Sequence, residues 1–426
     1  MQPGVFARAL LRQRGLMRAQ WLAPERLRAL QWRRLQRLIG HAHAHSPFYR
    51  ARFATLGLTP ADIRDPADFA RLPVTTREDL RAPDDLIADG FERARLFSSI
   101  TSGSTGQRTT TYFDTHAWLL GKHLLKLRAR QACGVRLGDR IALFQEGDPG
   151  NGAPRLFGRL CTFTVHRPPA EILEAVLRFA PTVLYGFPGH LLRLGLAAGG
   201  RLRPRLVFTS SELLDPGTRK RLGEVFGAIV LDIYGCTEVK EVAWQCPEAG
   251  GYHVNADWIL VEMVAEGRAG AAKAGRIVVT PLFNHAMPLL RYDVGDRGQL
   301  ADRLCPCGRG LPLLCPTFGR DVDYFRLADG SEITPYDMTC AIEQVPGMLR
   351  YQIVQRAVDR VEVRVMANHE FGEPSRAAIR CALKPVLHGL EPEVRLVPDF
   401  EHEPSGKFRI VKSELARPAE AGSAGP

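Results

Sequence analysis

The 426-residue sequence predicts an α/β protein. A large N-terminal domain, with a parallel-rich sheet, helices and a β-rich subdomain, precedes a small C-terminal α+β domain. Three observations predict this. Short apolar, β-branched runs alternate with helical segments from about residue 90. Beyond about 250, strands follow one another with few helices between them. After GRDVDYF the order becomes hairpin, helix, two strands, helix and strand. The length suits two or three domains, with boundaries at 1–319 and 320–415 and a tail at 416–426.

Residues 1–60 read as an amphipathic basic helix or pair of helices. Leu27, Leu30, Leu35 and Leu38 recur at helical spacing among Arg8, Arg12, Arg14, Arg18, Arg26, Arg28, Arg33, Arg34 and Arg37. The run accounts for much of the +11 net charge. A solvated Arg-rich face is the expected use; nucleic-acid or membrane-surface contact is the alternative, and it lacks aromatic interleaving. His41, His43 and His45 close a helix before Pro47. RIALFQ, APTVLYGF, RPRLVFTSS and AIVLDIYG are strands, with helices in PGHLLRLGLAAG and DPGTRKRLGEVFG. WILVEMV, GRIVVTPL and DRGQLA form the β-rich part. In the small domain, YFRLADGSEI is a hairpin and a helix starts at Pro335. YQIVQR and DRVEVRVMA are strands, PSRAAIRCALKPVLHGL is a helix and EVRLVPD is the last strand. The Ala/Gly/Pro tail has nothing to bury and is expected to be disordered.

Hydrophobic residues at 45% and charged residues at 24% are those of a soluble globular chain. No apolar run approaches the ~20 residues of a membrane span, and arginines interrupt any signal-peptide core in MQPGVFARALLRQRG. Nine cysteines fit no small secreted disulfide framework. A cytoplasmic protein is expected, with thiols free or holding metal.

Four segments carry chemistry. TSGSTGQRT, between two strands, offers glycine-permitted turns of backbone N–H groups and the hydroxyls of Ser102, Ser104, Thr105 and Thr109. It is either an anion-holding nest or a flexible connection. DIYGCTEVKEVAWQC places Tyr234, Gly235, Cys236, Thr237 and Glu238 directly after an apolar strand, where open α/β sheets bind ligands. A Thr–Glu pair there suits Mg²⁺ beside phosphate; a solvated polar turn is the alternative. RYDVGDRG puts Asp293 and Asp296 at the end of a strand, where a carboxylate can accept from a ribose diol or simply face water. EPSGKFRIVK presents Lys407 on a Gly-hinged loop, a point charge for phosphate or carboxylate.

In this order, the four segments resemble the adenylate-forming superfamily of acyl- and aryl-CoA ligases, closest to its phenylacetate–CoA ligase and coenzyme F390 synthetase-like branch. HAHAHSPFYRARF and CPCGRGLPLL with FGRDVD are similar to that branch's N-terminal segment, Cys-rich turn and Gly-Arg hinge, so the likeness runs from about 30 to 415. The resemblance implies that the loop Thr101, Ser102, Gly103, Ser104, Thr105 and Gly106 holds the phosphates of ATP. Glu238 would bind Mg²⁺, with Thr237 near the α-phosphate, and Asp296 would take the ribose hydroxyls with help from Arg320. Lys407 would bridge α-phosphate and substrate carboxylate. By position, YGFPG and the TSSEL and YGCTE turns line the acyl pocket or the adenine site. Tyr185, Phe187 and Cys236 are expected as pocket walls, and Ser211 either as a wall or, with Glu212, Tyr234 and Gly235, beside the nucleotide. The sequence departs from the pattern at Gln107 and Arg108, where Pro and Lys are usual, and at the hinge, where Asp321 and Asp323 compete as pivot.

Cys246, His253, Cys305 and Cys307 form a separate set. Three thiolates and an imidazole satisfy tetrahedral zinc, and some members of the resembled branch carry a structural zinc at such a set; ordinary buried thiols are the alternative. Cys315 is a substitute ligand.

The implied activity is ATP-dependent activation of a small carboxylic acid, with an aromatic acid favoured, as an acyl-adenylate, then transfer to coenzyme A. Transfer to an amine, carrier protein or sugar is the alternative in the same chemistry, and a non-catalytic polyanion binder the remote one. No nucleic-acid partner or membrane span is expected, and a homodimer is compatible with the branch.

Overall fold

The computed structural model describes residues 13–101, 109–145, 159–248, 250–265, 274–320, 324–342, 345–400 and 408–415. Helix α1 (Pro24–His45) starts with proline in its first turn, where no intrahelical N–H is lost. It buries Leu27, Leu35, Leu38, Ile39 and Ala42 along one face. Ser46, extended because it precedes Pro47, separates it from α2 (Pro47–Thr55). Arg14, Arg18, Arg26, Arg28, Arg33 and Arg37 are exposed, as a solvated face requires. Arg34 departs from that reading: its guanidinium lies 3.5 Å over the Trp258 ring and donates to the Asp257 carbonyl.

A hairpin of β1 (Phe97–Ile100) and β2 (Thr110–Phe113) leads into helical residues 115–132, which include a π-helical turn at Leu119–Leu124 and α3 (Leu125–Ala132). The main sheet then begins with β3 (Ile141–Gln145) and β4 (Leu160–Thr164). Helix α4 (Pro169–Phe179), β5 (Val183–Gly186), α5 (Pro188–Ala198), β6 (Leu206–Ser210), α6 (Pro216–Phe226) and β7 (Ile229–Cys236) follow in strict alternation. These five strands run parallel in the order β4-β3-β5-β6-β7. Along β6, Val207 and Phe208 point into different cores, one on each face of the sheet.

The segments beyond 250 were expected as a β-rich unit, and their hydrogen bonding is continuous with this sheet. β8 (Lys240–Gln245) turns back antiparallel on β7. β9 (Tyr252–Val254), β10 (Ile259–Val264), β11 (Ala274–Pro281), β12 (Tyr292–Leu300) and β13 (Leu313–Arg320) complete it. The antiparallel order is β8-β9-β13-β12-β11-β10, giving one 11-stranded sheet. RYDVGD therefore opens a strand where it was expected to end one, because β12 is paired on both sides, with β11 and β13.

The C-terminal segment carries the short pair β14 (Phe325–Arg326) and β15 (Glu332–Ile333), then α7 (Pro335–Ile342). A four-stranded sheet follows, built from β16 (Met348–Ala357), β17 (Arg360–Ala367), β18 (Glu393–Leu396) and β19 (Val411–Ser413), with α8 (Glu373–Val386) packed on it. Phe325, Ile353, Val363, Ile379 and Leu383 bury there as a third core. No helix among the described residues is long and apolar enough to cross a membrane.

Arg128 of α3 fastens the helical layer to the antiparallel half of the sheet. Its buried guanidinium donates to both oxygens of buried Asp257, at 2.9 and 3.0 Å, and to the Asn255 side-chain oxygen. Removing one partner of a fully buried pair strands the other charge. Arg128→Met is expected to lower unfolding free energy by about 3–5 kcal/mol in urea titration; a loss under about 1 kcal/mol would mean that Asp257 finds solvent or a proton instead.

Candidate active site

Parallel strands present their C-terminal ends on one edge, and here β5, β6 and β7 end side by side. The YGFPG, TSSEL and YGCTE turns therefore lie along one border. The third is the tightest. β7 and β8 shift register between Tyr234 and Gly235, and Lys240 closes the reversal at φ 72°. A Cβ at Gly235 would strike the Lys240 carbonyl oxygen, so only glycine fits.

From this hairpin the site is tied together by side chains. The Tyr234 hydroxyl donates to Asp296 Oδ2 at 2.7 Å, and the Tyr292 hydroxyl donates to Glu238 Oε1 at 3.0 Å. The YGCTE and RYDVGD segments thus interlock in both directions. Glu238 is buried, and its position beside Cys236 pushes that thiol well up, after burial itself. Asp293 is spoken for differently: it pairs with Arg276 and accepts from the Gly295 N–H.

Across from the hairpin, Thr101 and Thr109 pinch the ends of the Ser/Gly loop. Thr101 N–H donates to the Thr109 carbonyl at 3.0 Å, and Thr109 N–H donates to Thr101 Oγ1 at 2.9 Å. Arg77 also donates to Thr101 Oγ1, at 3.2 Å. The Lys240 ammonium donates to Ser99 Oγ (2.5 Å) and the Thr237 carbonyl (2.7 Å), joining β1 to the turn. Ser102, Gly103, Ser104, Thr105 and Gly106 lie outside the described residues, as do Gln107, Arg108, Asp321, Asp323 and Lys407. The backbone of Arg320 pairs opposite Asp296 in the β12–β13 ladder.

The expected acyl walls separate. Tyr185 and Phe187 belong to cores on opposite faces of the sheet, so they do not wall one pocket. Tyr185 lies under Lys126 and Arg130, at 4.7 and 5.1 Å from its ring. Cys236 stays within the hairpin. Ser211 adopts φ 71° at the end of β6. The Glu212 carboxylate accepts from the Gly189 N–H at 3.1 Å and from the Phe408 N–H at 2.7 Å. It therefore joins the large sheet to the C-terminal unit at the residue after Lys407.

The four zinc candidates do converge. Ligand atoms of Cys246, His253, Cys305 and Cys307 all lie within 4.8 Å of one another. Cys305 and Cys246 sulfurs are 3.6 Å apart, and Cys307 Sγ is 3.3 Å from His253 Nε2. Ligands at zinc bond lengths stand roughly 3.3–3.8 Å apart around a tetrahedron, so the set fits. His253 Nδ1 faces the Leu311 carbonyl, which can only accept, leaving Nε2 as the electron-pair donor toward the thiols. Cys315 is exposed and outside the set.

Three residues carry no assignment from sequence alone. Tyr292 and Lys240 sit inside quoted motifs, where a tyrosine or lysine at a strand end implies no role by itself. Arg77 has no local signal, since only folding brings it to Thr101.

No family model matches the chain. A phenylacetate–coenzyme A ligase of Thermus thermophilus is 28% identical over 374 residues, covering 82% of this chain and 83% of its own. One from Escherichia coli is 29% identical over 304 residues, 65% of this chain and 68% of its own. This chain is similar in sequence to the phenylacetate–CoA ligases. Its fold agrees with that of 2-hydroxyisobutyryl-CoA ligase, 23% identical and matched over 93% of this chain and 91% of that one. The TM-score is 0.80 for that enzyme in its postadenylation state with an acyl-AMP. Against its open conformation, with acyl-AMP and CoA, the score is 0.65.

Behind the hairpin, buried Asp232 accepts from Thr209 Oγ1 and from the Tyr252 hydroxyl (2.9 Å), bracing β7 between β6 and β9. Burial pushes its carboxyl up to about 6, against the pull of those two bonds. A raised carboxyl contributes stability that is full below the unfolded-state value of 3.8 and is lost as pH rises through about 6. Urea titrations of Asp232→Asn and the native chain are expected to diverge by about 2 kcal/mol in their change between pH 4 and 7. Parallel pH dependences would show that Asp232 titrates normally.

Proposed function

We propose that this chain is an AMP-forming acid–thiol ligase, which activates a small carboxylic acid with Mg·ATP and passes the acyl group to coenzyme A. The reciprocal pairing of Tyr234 with Asp296 and Tyr292 with Glu238 carries the reading. It joins two motifs distant in sequence at the ligand-binding edge of an α/β sheet. The phenylacetate–CoA ligase relatives support an aromatic acid as the class.

In this reading the loop from Thr101 to Gly106 cradles the triphosphate, and its Thr101–Thr109 neck fixes where it opens. Asp296 takes the ribose diol, with Tyr234, Gly235, Ser211 and Arg320 around the nucleotide. Glu238 supplies the hard oxygen that Mg²⁺ prefers, and the bound ion neutralises phosphate charge. Thr237 orients the α-phosphate. An oxygen of the acid attacks the α-phosphorus, the bond from that phosphorus to the bridging oxygen breaks, and pyrophosphate leaves. Lys407 neutralises the two anions as they meet. The coenzyme A thiolate then attacks the acyl carbon and AMP departs. Of the proposed walls, Cys236 and Tyr185 remain candidates for the acyl side.

We take 1–319 and 320–415 as separately moving domains. Polar links join them, among them Arg193–Asp399 at 3.3 Å, Arg297–Glu332 at 3.2 Å and the Glu212–Phe408 bond. Such links exchange readily with water. The drop in TM-score between two states of one ligase supports a conformation-dependent arrangement.

Carboxylate-dependent pyrophosphate release, measured with Mg·ATP across aryl, arylacetic and fatty acids, tests the reading. One acid is expected to stimulate release, and coenzyme A to increase it. Lys407→Ala is expected to slow adenylate formation by at least ~100-fold, the scale of losing one electrostatic stabiliser. Thioester formation from supplied adenylate should change little. Release indifferent to coenzyme A would point to another acceptor; absence of both release and ATP binding would overturn adenylation.

We assign zinc to Cys246, His253, Cys305 and Cys307, as a closed structural site between the turns of the antiparallel strands. A reducing, cytoplasmic setting keeps such thiols as ligands. Elemental analysis is expected to find about one zinc per chain, lost in Cys305→Ser, with a lower thermal midpoint. Folded, active protein purified without chelator and free of zinc would refute the assignment.

A further inference from the structure

Lys240 has no role in the chemistry proposed above, yet it occupies the most constrained point of the site. It is half-buried, it holds a left-handed backbone as a non-glycine residue, and its ammonium lies between two parts of the nucleotide site. One bond goes to Ser99 Oγ on β1, two residues before the loop opens at Thr101. The other goes to the carbonyl of Thr237, in the turn that bears Glu238. The same ammonium lies 4.6 Å from the Phe113 ring centroid on β2 and 5.3 Å from that of Trp118. Each contact is one a cation makes better than a neutral apolar side chain. A methionine would fill the same space without the desolvation cost, so packing alone does not account for a lysine here.

Geometry gives this strut a direction. β1 pairs with β2 and with no other strand among the described residues, so the hairpin holding the phosphate loop is not hydrogen-bonded into the main sheet through its backbone. Side chains must set its distance from the Thr237–Glu238 turn. Arg77 reaches Thr101 from one side, and Lys240 reaches Ser99 from the turn itself. We propose that Lys240 is a positioning residue for adenylation, locking the β1–β2 hairpin to the Thr237–Glu238 turn so that Thr101 and Thr109, between which the proposed phosphate loop runs, and the Glu238 carboxylate are already spaced for one triphosphate. The proposal rests on the adenylation reading and adds a residue to it. Lys240 touches no substrate; it acts through Ser99 and Thr237.

The test uses the full-length chain and Mg·ATP itself, so the identity of the acid does not matter. Isothermal titration measures the affinity of native protein, Lys240→Met, Lys240→Arg, Ser99→Ala and the Ser99→Ala/Lys240→Met double variant, with thermal unfolding alongside. Lys240→Met is expected to weaken Mg·ATP binding about 10-fold or more, the scale of one charge-assisted hydrogen bond. Arginine should restore most of it. The double variant should be no weaker than Lys240→Met alone, because both substitutions cut one strut. Once an acid is known, the KM for Mg·ATP should rise while the KM for the acid stays within about 2-fold.

If Lys240→Met lowers the thermal midpoint but the folded protein binds Mg·ATP as the native chain does, the role is merely structural and the proposal falls. It falls equally if Ser99→Ala and Lys240→Met weaken binding additively. Should Lys240→Met not fold, Ser99→Ala and Lys240→Arg decide: unchanged binding in the first, or binding in the second as weak as in the first, overturns it. Native protein that binds no Mg·ATP would overturn the adenylation reading itself, whereas native binding with an indifferent Lys240→Met removes only this residue's role.

Discussion

The reversal between β7 and β8 is the constraint on which the site depends. The sheet is parallel up to β7 and antiparallel from β8, and that change requires a hairpin at the very edge where parallel strands present ligands. A crossover helix would have moved the next strand away from this edge; a hairpin keeps both of its arms there. Gly235 makes the close turn sterically allowed, and Lys240 accepts the left-handed conformation that completes it. Tyr234, Thr237 and Glu238 are consequently fixed by the backbone of one short reversal, not by a long loop.

Tyr234 and Tyr292 convert that local rigidity into a site. Each tyrosine belongs to one motif and hydrogen-bonds a carboxylate of the other, so neither β7 nor β12 can shift without breaking a bond at both positions. A carboxylate that accepts one hydrogen bond keeps lone pairs for a ribose diol or a metal ion, while its rotamer is held before ligand arrives. Asp232 repeats the device one layer back, where two hydroxyls hold it between neighbouring strands. Charge placed and oriented in advance is the form of stabilisation that adenylate formation requires.

Much of this was legible in the residues. Apolar runs bounded by Gly and Pro located β3, β5, β6 and β7 and the helices after β5 and β6, because a buried parallel strand needs apolar residues on both faces. β8 and β13 escaped for the opposite reason. KEVAWQ is charged at one end and LLCPTFGR contains a proline, and only pairing with neighbours makes them strands. The Asp and Gly of RYDVGD disfavour a strand locally, yet flanking strands on both sides overrode that preference. Arg34 reads as a solvated arginine because nothing in α1 announces Trp258, more than two hundred residues away. The four zinc candidates were gathered from composition and resemblance, and their convergence follows from turns that the antiparallel strands bring together. Tyr185 and Phe187 are neighbours in sequence but parted by the sheet, a distinction that a two-residue spacing hides when the strand ends between them.

Glu212 sits where the large and small units meet. Its two oxygens accept backbone N–H groups from opposite sides of the domain junction, Gly189 on the large unit and Phe408 on the small one. A side chain at Gly189 would displace the Arg350 guanidinium, which packs 3.7 Å over the Phe408 ring. The bond to Gly189 is within the large unit and survives any rotation; the bond to Phe408 is the one that rotation would break. Each such bond has a net worth of about 1.5–3 kcal/mol to a charged acceptor, because water takes the vacated place. Were the two units to move as proposed, a junction held by a few such bonds, with Leu213 packed against the small unit's core, would be stable enough to persist and weak enough to release. A continuous apolar interface would have given the first property without the second.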